Sequence, residues 1–122
     1  MIWILLTLIA YILFNILFIV NFFAVIYKYG FKCSVIIGFF KQTAIDLDRY
    51  GNHNYRTLFN IALKKENGYK FGNVNETISS VLGKNKRDST LSKIGIIVCT
   101  ILDFLDENHC IKSINNNIYN YE

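Results

Sequence analysis

The pattern of apolar and polar positions divides the chain at its front. From Ile2 through Tyr27 there is no Asp, Glu, Lys, Arg, Gly or Pro, and only Thr7, Asn15 and Asn21 interrupt the apolar run. About 20 residues of helix rising 1.5 Å each cross the hydrocarbon layer of a bilayer. Positions 1–27 therefore read as a transmembrane anchor. A cleaved signal peptide carries a basic n-region, an apolar stretch of roughly 7–15 residues and a small-x-small cleavage site. None of these marks the run, so an uncleaved anchor is the expected reading, ahead of a signal peptide or a buried core helix. Trp3 and Tyr27 sit at opposite ends, as interfacial aromatic residues do.

Positions 28–40 form a juxtamembrane segment with a second apolar patch, Val35-Ile36-Ile37-Gly38-Phe39-Phe40. It is too short to cross a bilayer. It is expected to rest in the interface or pack under the following domain, with a bent membrane segment reaching Phe40 as the alternative.

From Lys41 onward the periodicity is that of short helices separated by glycines. Tyr55–Glu66 sets Leu58, Phe59, Ala62 and Leu63 at helical spacing and stops at Asn67-Gly68. Asn73-Val74-Asn75-Glu76 has the form of a reciprocal N-terminal cap leading into Ile78, Val81 and Leu82, with a stop at Gly83. The longest stripe follows a cap at Asp88 or Ser89: Leu91, Ile94, Ile97, Val98, Ile101, Leu102 and Leu105 predict a helix over 90–107 that supplies the core. Positions 111–122 read as a frayed tail or a brief helix. The expected fold is all-α: one N-terminal transmembrane helix followed by a small helical cytoplasmic domain, positions 41–122.

Charge sets the expected orientation. Lysines and arginines flanking a span stay on the cytoplasmic side, and Lys28, Lys32 and Lys41 all follow this one. The formal charge is +4, from 13 basic and 9 acidic residues. Without Lys28 and Lys32 the balance is 11 against 9, too even for a nucleic-acid partner. Lys84-Asn85-Lys86-Arg87 is a small basic knot that reads as a solvated turn. Proline is absent and asparagine abundant, which reads as an AT-rich coding sequence more than a physical demand.

Candidate chemistry is sparse. Cys33, Cys99 and Cys110 are odd in number and lack CxxC spacing, so neither a disulfide scaffold nor a zinc site is indicated, and a reducing compartment fits. Asp46, Asp48 and His53 are candidate ligands for a divalent metal. His109-Cys110 is a candidate nucleophile pair, with His53 and Glu76 as further members of a catalytic group. The plainer readings are a polar interhelical loop for the first set and a buried or capping pair for the second. No cofactor is expected. Asn75-Glu76-Thr77 has the form of a glycosylation acceptor that a cytoplasmic domain never presents to that machinery.

Tyr55-Arg-Thr-Leu-Phe-Asn60, Phe71-Gly72, Glu76-Thr-Ile-Ser79-Ser80, Ile101-Leu-Asp103 and His109-Cys110 together resemble small proteins of tailed bacteriophages and prophages. Those proteins share an E-T-x-S segment and a terminal His-Cys pair, and the likeness spans about Tyr55–Ile114. The resemblance implies a source, and it implies no activity. The expected protein is a single-pass component of the host inner membrane that touches lipid and binds a protein partner at the cytoplasmic face, modulating lysis or superinfection. A membrane-tethered His/Cys enzyme and a holin-like pore former, oligomerised through Asn15 and Asn21, are the alternatives. The apolar run has a direct consequence: the full-length chain should stay in the membrane pellet after alkaline carbonate extraction and need detergent for release. Recovery in the carbonate supernatant would refute the anchor.

Overall fold

A computed structural model of the chain describes residues 1–118. It is all-helical, in the order α1 (Ile2–Tyr29), α2 (Cys33–Asn54), α3 (Arg56–Ala62), α4 (Ile78–Arg87), α5 (Lys93–Leu105) and α6 (His109–Lys112). Among the described residues the only extended pairing is a single antiparallel bridge between Lys64 and Leu91. The chain forms two compact units, Met1–Thr43 and a second beginning at Ala44, with α2 running through the boundary.

In the first unit α1 has 28 residues, a length of about 42 Å at 1.5 Å per residue. It buries none of its side chains and has a mean hydropathy of 2.6 over its most apolar window, so it is long and apolar enough to cross a membrane. Its polar groups turn inward on the helix: Thr7 Oγ1 donates to the Trp3 carbonyl and Asn15 Nδ2 to the Tyr11 carbonyl, each at 2.7 Å. Gly30, at φ +81°, ends the helix in a conformation that costs other residues a steric clash. The patch before Lys41 packs on α1: the rings of Phe39 and Phe40 lie 5.4–6.4 Å from those of Phe18 and Phe22.

The second unit is organised around α4. Its core is Leu63, Phe71, Val81, Leu82, Leu91, Cys99 and Cys110, with Phe59, Ala62, Ile78, Val98 and Leu102 packed against it. Every residue from Ser79 to Asn85 is buried. Gly83 permits this, because a Cβ there would run into the backbone carbonyl of Cys110, and Gly95 likewise admits the Leu63 carbonyl against α5. Gly83 is thus an interior contact point of a helix that continues to Arg87, where the sequence pattern suggested a stop. The basic knot is corrected at the same time: Lys84 and Asn85 are buried.

Other boundaries shift for local reasons. The helix expected over 55–66 ends at Ala62, since Lys65 N–H bonds to the Thr90 carbonyl and Ser92 N–H to the Leu63 carbonyl. Thr77, whose hydroxyl accepts from Ser80 N–H at 3.1 Å, caps α4 in place of the Asn73–Glu76 pair. Ser92 caps α5, accepting from Gly95 N–H at 3.0 Å, so that helix starts three residues later than the stripe suggested.

The asparagines have structural work that composition did not reveal. Between Tyr69 and Glu76 the backbone lacks a ladder, and an unpaired buried amide or carbonyl is costly. Asn60 exchanges two bonds with Phe71, at 2.9 and 2.8 Å. Asn52 holds Gly72 N–H and the carbonyls of Asn73 and Glu76, and Asn85 holds the Tyr69 carbonyl. A Gly83→Ala variant should lower stability by about 1–3 kcal/mol through overpacking, seen as a lower melting temperature in detergent. An unchanged midpoint would show that α6 does not close on α4 as described.

Candidate functional site

The sequence candidates do not gather at one site, although Asp48 and His109 both reach Ser79. His53 is exposed, with Nδ1 3.0 Å from the Gly72 carbonyl. Asp46 is exposed on α2, and Asp48 on the same helix is occupied elsewhere, so Asp46, Asp48 and His53 do not converge as metal ligands. Glu76, His109 and Cys110 take three different sets of partners. Convergence of base and nucleophile is the first requirement of a His/Cys enzyme, and these four candidates do not meet it.

Glu76 is fully buried. Its carboxylate accepts from Lys84 Nζ and Ser80 Oγ, each at 2.6 Å, and from Tyr69 Oη at 3.0 Å. The Lys84 ammonium also reaches Tyr69 Oη at 3.2 Å and lies 4.2 Å from the centre of that ring. Ser80 Oγ in turn accepts from Asn115 N–H at 2.9 Å, which pins the C-terminal segment. Burial alone pushes the Lys84 ammonium down, but bonding to Glu76 and Tyr69 outweighs it and the group is raised. Burial is the main cause raising the Tyr69 phenol. The four-residue steps from Glu76 to Ser80 to Lys84 were the available signal for this cluster, with Ser80 and Lys84 on one face of α4 and Glu76 just before its cap.

A second polar chain links three helices. Asp48 of α2 accepts from Ile78 N–H and from Ser79 Oγ at the start of α4, both at 2.8 Å. Ser79 Oγ lies 3.2 Å from His109 Nε2, and His109 Nδ1 lies 3.0 Å from Asp106 Oδ2. The order carboxylate, imidazole, hydroxyl matches that of a nucleophilic triad, and it borders a cavity of about 270 Å³ that Arg49, Asn75 and Asn115 also line. The competing acceptor decides its chemistry. Asp48 stands closer to Ser79 Oγ than the imidazole does, so it holds the hydroxyl proton and opposes negative charge on that oxygen. The arrangement is a latch that ties α2, α4 and α6 together and caps α4 from outside.

The cysteines are paired against expectation: Cys99 of α5 and Cys110 of α6 form a disulfide, leaving exposed Cys33 as the free cysteine. Cys110 is completely buried, which removes it as a nucleophile. The sequence gives no spacing cue because the link spans 11 residues and depends on α6 folding back. Asp103 lies beside the pair, accepting from Cys110 N–H at 3.0 Å and pairing with Lys86. These bonds, the one from Lys86 first, hold its carboxyl below the usual range.

The stripe expected to fill the core is divided between two faces. Leu91, Cys99, Val98 and Leu102 turn inward. Ile94, Ile97, Ile101, Phe104 and Leu105 turn outward at 55–88% exposure. They fall at i, i+3, i+7, i+10 and i+11, one continuous apolar line on the outside of α5. No family model, curated protein or solved structure matches the chain.

The buried ion pair yields a signed pH dependence. Lys84 and Tyr69 have raised folded values above their ordinary 10.5 and 10.0, so their contribution is complete below about pH 10 and is lost as pH climbs through the folded values. Removing one partner of a buried pair costs about 3–5 kcal/mol. Glu76→Gln should therefore melt well below the parent at pH 7 and lose the part of the parent's decline above about pH 10 that comes from Lys84. A parallel decline in both proteins would show that the pair does not control alkaline stability.

Proposed function

We propose that this chain is a membrane-anchored accessory protein whose helical domain docks a protein partner through the outer face of α5. The exposed line Ile94, Ile97, Ile101, Phe104 and Leu105 carries the proposal. A soluble helix gains most of its stability by burying its apolar stripe, and a line of this spacing fits recognition in which a helix lies in an apolar groove. Asp106 and Glu107 follow Phe104 and Leu105 and are exposed. Anionic headgroups repel them, which favours a protein groove with a basic rim over a lipid surface.

The hydropathy of α1 supports insertion in a bilayer, and Lys28, Lys32 and Lys41 support a cytoplasmic location for the domain. Asn15 bonds to its own helix at Tyr11, which weakens its demand for a partner span and with it the pore-forming reading. The likeness to tailed-phage proteins supports a phage source only, and a role in lysis timing or superinfection is proposed from the membrane placement. Ser79 and His109, one from each motif of that likeness, lie in contact.

Photo-crosslinking from Ile97 in intact membranes tests the docking face. A discrete adduct should form and should disappear when Ile101→Ser/Phe104→Ser is added to the probe-bearing chain, while the melting temperature of that variant stays close to the parent because both sites are exposed. An adduct of twice the 14.2 kDa chain mass would replace the foreign partner with a second copy. Adducts with lipid alone would overturn the reading.

A further inference from the structure

We propose that Cys99, Cys110 and Asp103, when the disulfide is reduced, form a binding site for a thiophilic divalent cation of the zinc type. One sulfur from each cysteine and one carboxylate oxygen of Asp103 lie within 4.8 Å of one another. Two thiolates on a tetrahedral zinc ion sit about 3.8 Å apart, from bonds of about 2.3 Å, and the 6.2 Å separation of the two Cα atoms accommodates that spacing. Cys99 and Asp103 are four residues apart on α5, so one helical face presents both, and α6 delivers Cys110 from the opposite side.

Charge favours the ion. With both thiols ionised, the two sulfurs and Asp103 carry three negative charges, and Lys86, bonded to Asp103, returns one. The remaining two match a divalent cation in a site where both cysteines are buried. Three protein ligands leave one tetrahedral position open. Cys99 also borders a cavity of about 310 Å³ with Thr100, Asn85 and Lys86, an entry path to that position.

The covalent step is a thiol–disulfide exchange. A dithiol reductant gives two electrons and two protons to the Cys99–Cys110 bond and becomes a disulfide itself. The metal then displaces the two thiol protons to solvent. Disulfide and metal site are alternative states of one cluster, and a cytoplasmic location, where thiols are kept reduced, selects the metal-binding state.

The test is independent of the partner-docking proposal, because it uses the purified full-length chain in detergent with Co(II) as the probe. The reduced protein should take up one equivalent of Co(II) with a sulfur-to-cobalt charge-transfer band in the near ultraviolet. Zn(II) should bleach the band, and the oxidised protein should not develop it. Cys33→Ser should keep the band, Cys110→Ser should lose it, and Asp103→Asn should weaken binding about tenfold or more. Thiol titration in denaturant confirms reduction of each sample. Three titratable thiols with no charge-transfer band, or a band that survives Cys110→Ser and vanishes with Cys33→Ser, would overturn the site.

Discussion

The second unit depends on keeping one carboxylate, that of Glu76, ionised and out of water. Such a charge is tolerated only with a close counter-ion and hydrogen bonds to its remaining lone pairs. Lys84, Ser80 and Tyr69 supply them from two directions. Because Lys84 and Ser80 lie on α4 and Tyr69 lies on the segment before it, satisfying Glu76 fixes the approach of that segment and the burial of α4 together. Ser80 then passes the constraint to Asn115, far along the chain. A core with so few large apolar side chains gains from this network a definite arrangement, since any slip strands a buried charge.

Around that centre, side chains replace backbone ladders. Asn52, Asn60 and Asn85 act as short clamps for a segment with neither helix nor strand partners. Asp48 and Ser79 extend the same logic to the entry of α4, and His109 carries it to α6. The same geometry that resembles a catalytic triad thereby serves as a joint, because the oxygen that would attack is already committed to a carboxylate.

Burial of α4 also determines what is left outside. The inner surface of α5 is taken up by Leu63, Leu82 and their neighbours, and the rest of its apolar stripe is exposed among the described residues. The fold thus spends its small core on one side of α5 and presents the other. Close beside it, the return of α6 gathers two sulfurs and a carboxylate that are distant in sequence.

Some of this was legible in the sequence because it depends on local pattern. An apolar run from Ile2 to Tyr27 dictates a long apolar helix by composition alone, and three- and four-residue spacing dictated the helical class and the existence of α3, α4 and α5. What the sequence could not supply were relations across the chain. It did not show which half of the Leu91–Leu105 stripe turns inward, that Lys84 lies under Tyr69, or that Cys110 returns to Cys99. Nor did it show that, along α2, Asp48 turns to Ile78 and Ser79 while His53 turns to the Gly72 carbonyl. Periodicity reports the faces of one helix, whereas pairing of charges and sulfurs requires a second element to arrive at a fixed distance, and only tertiary packing around Gly83 and Glu76 sets that distance.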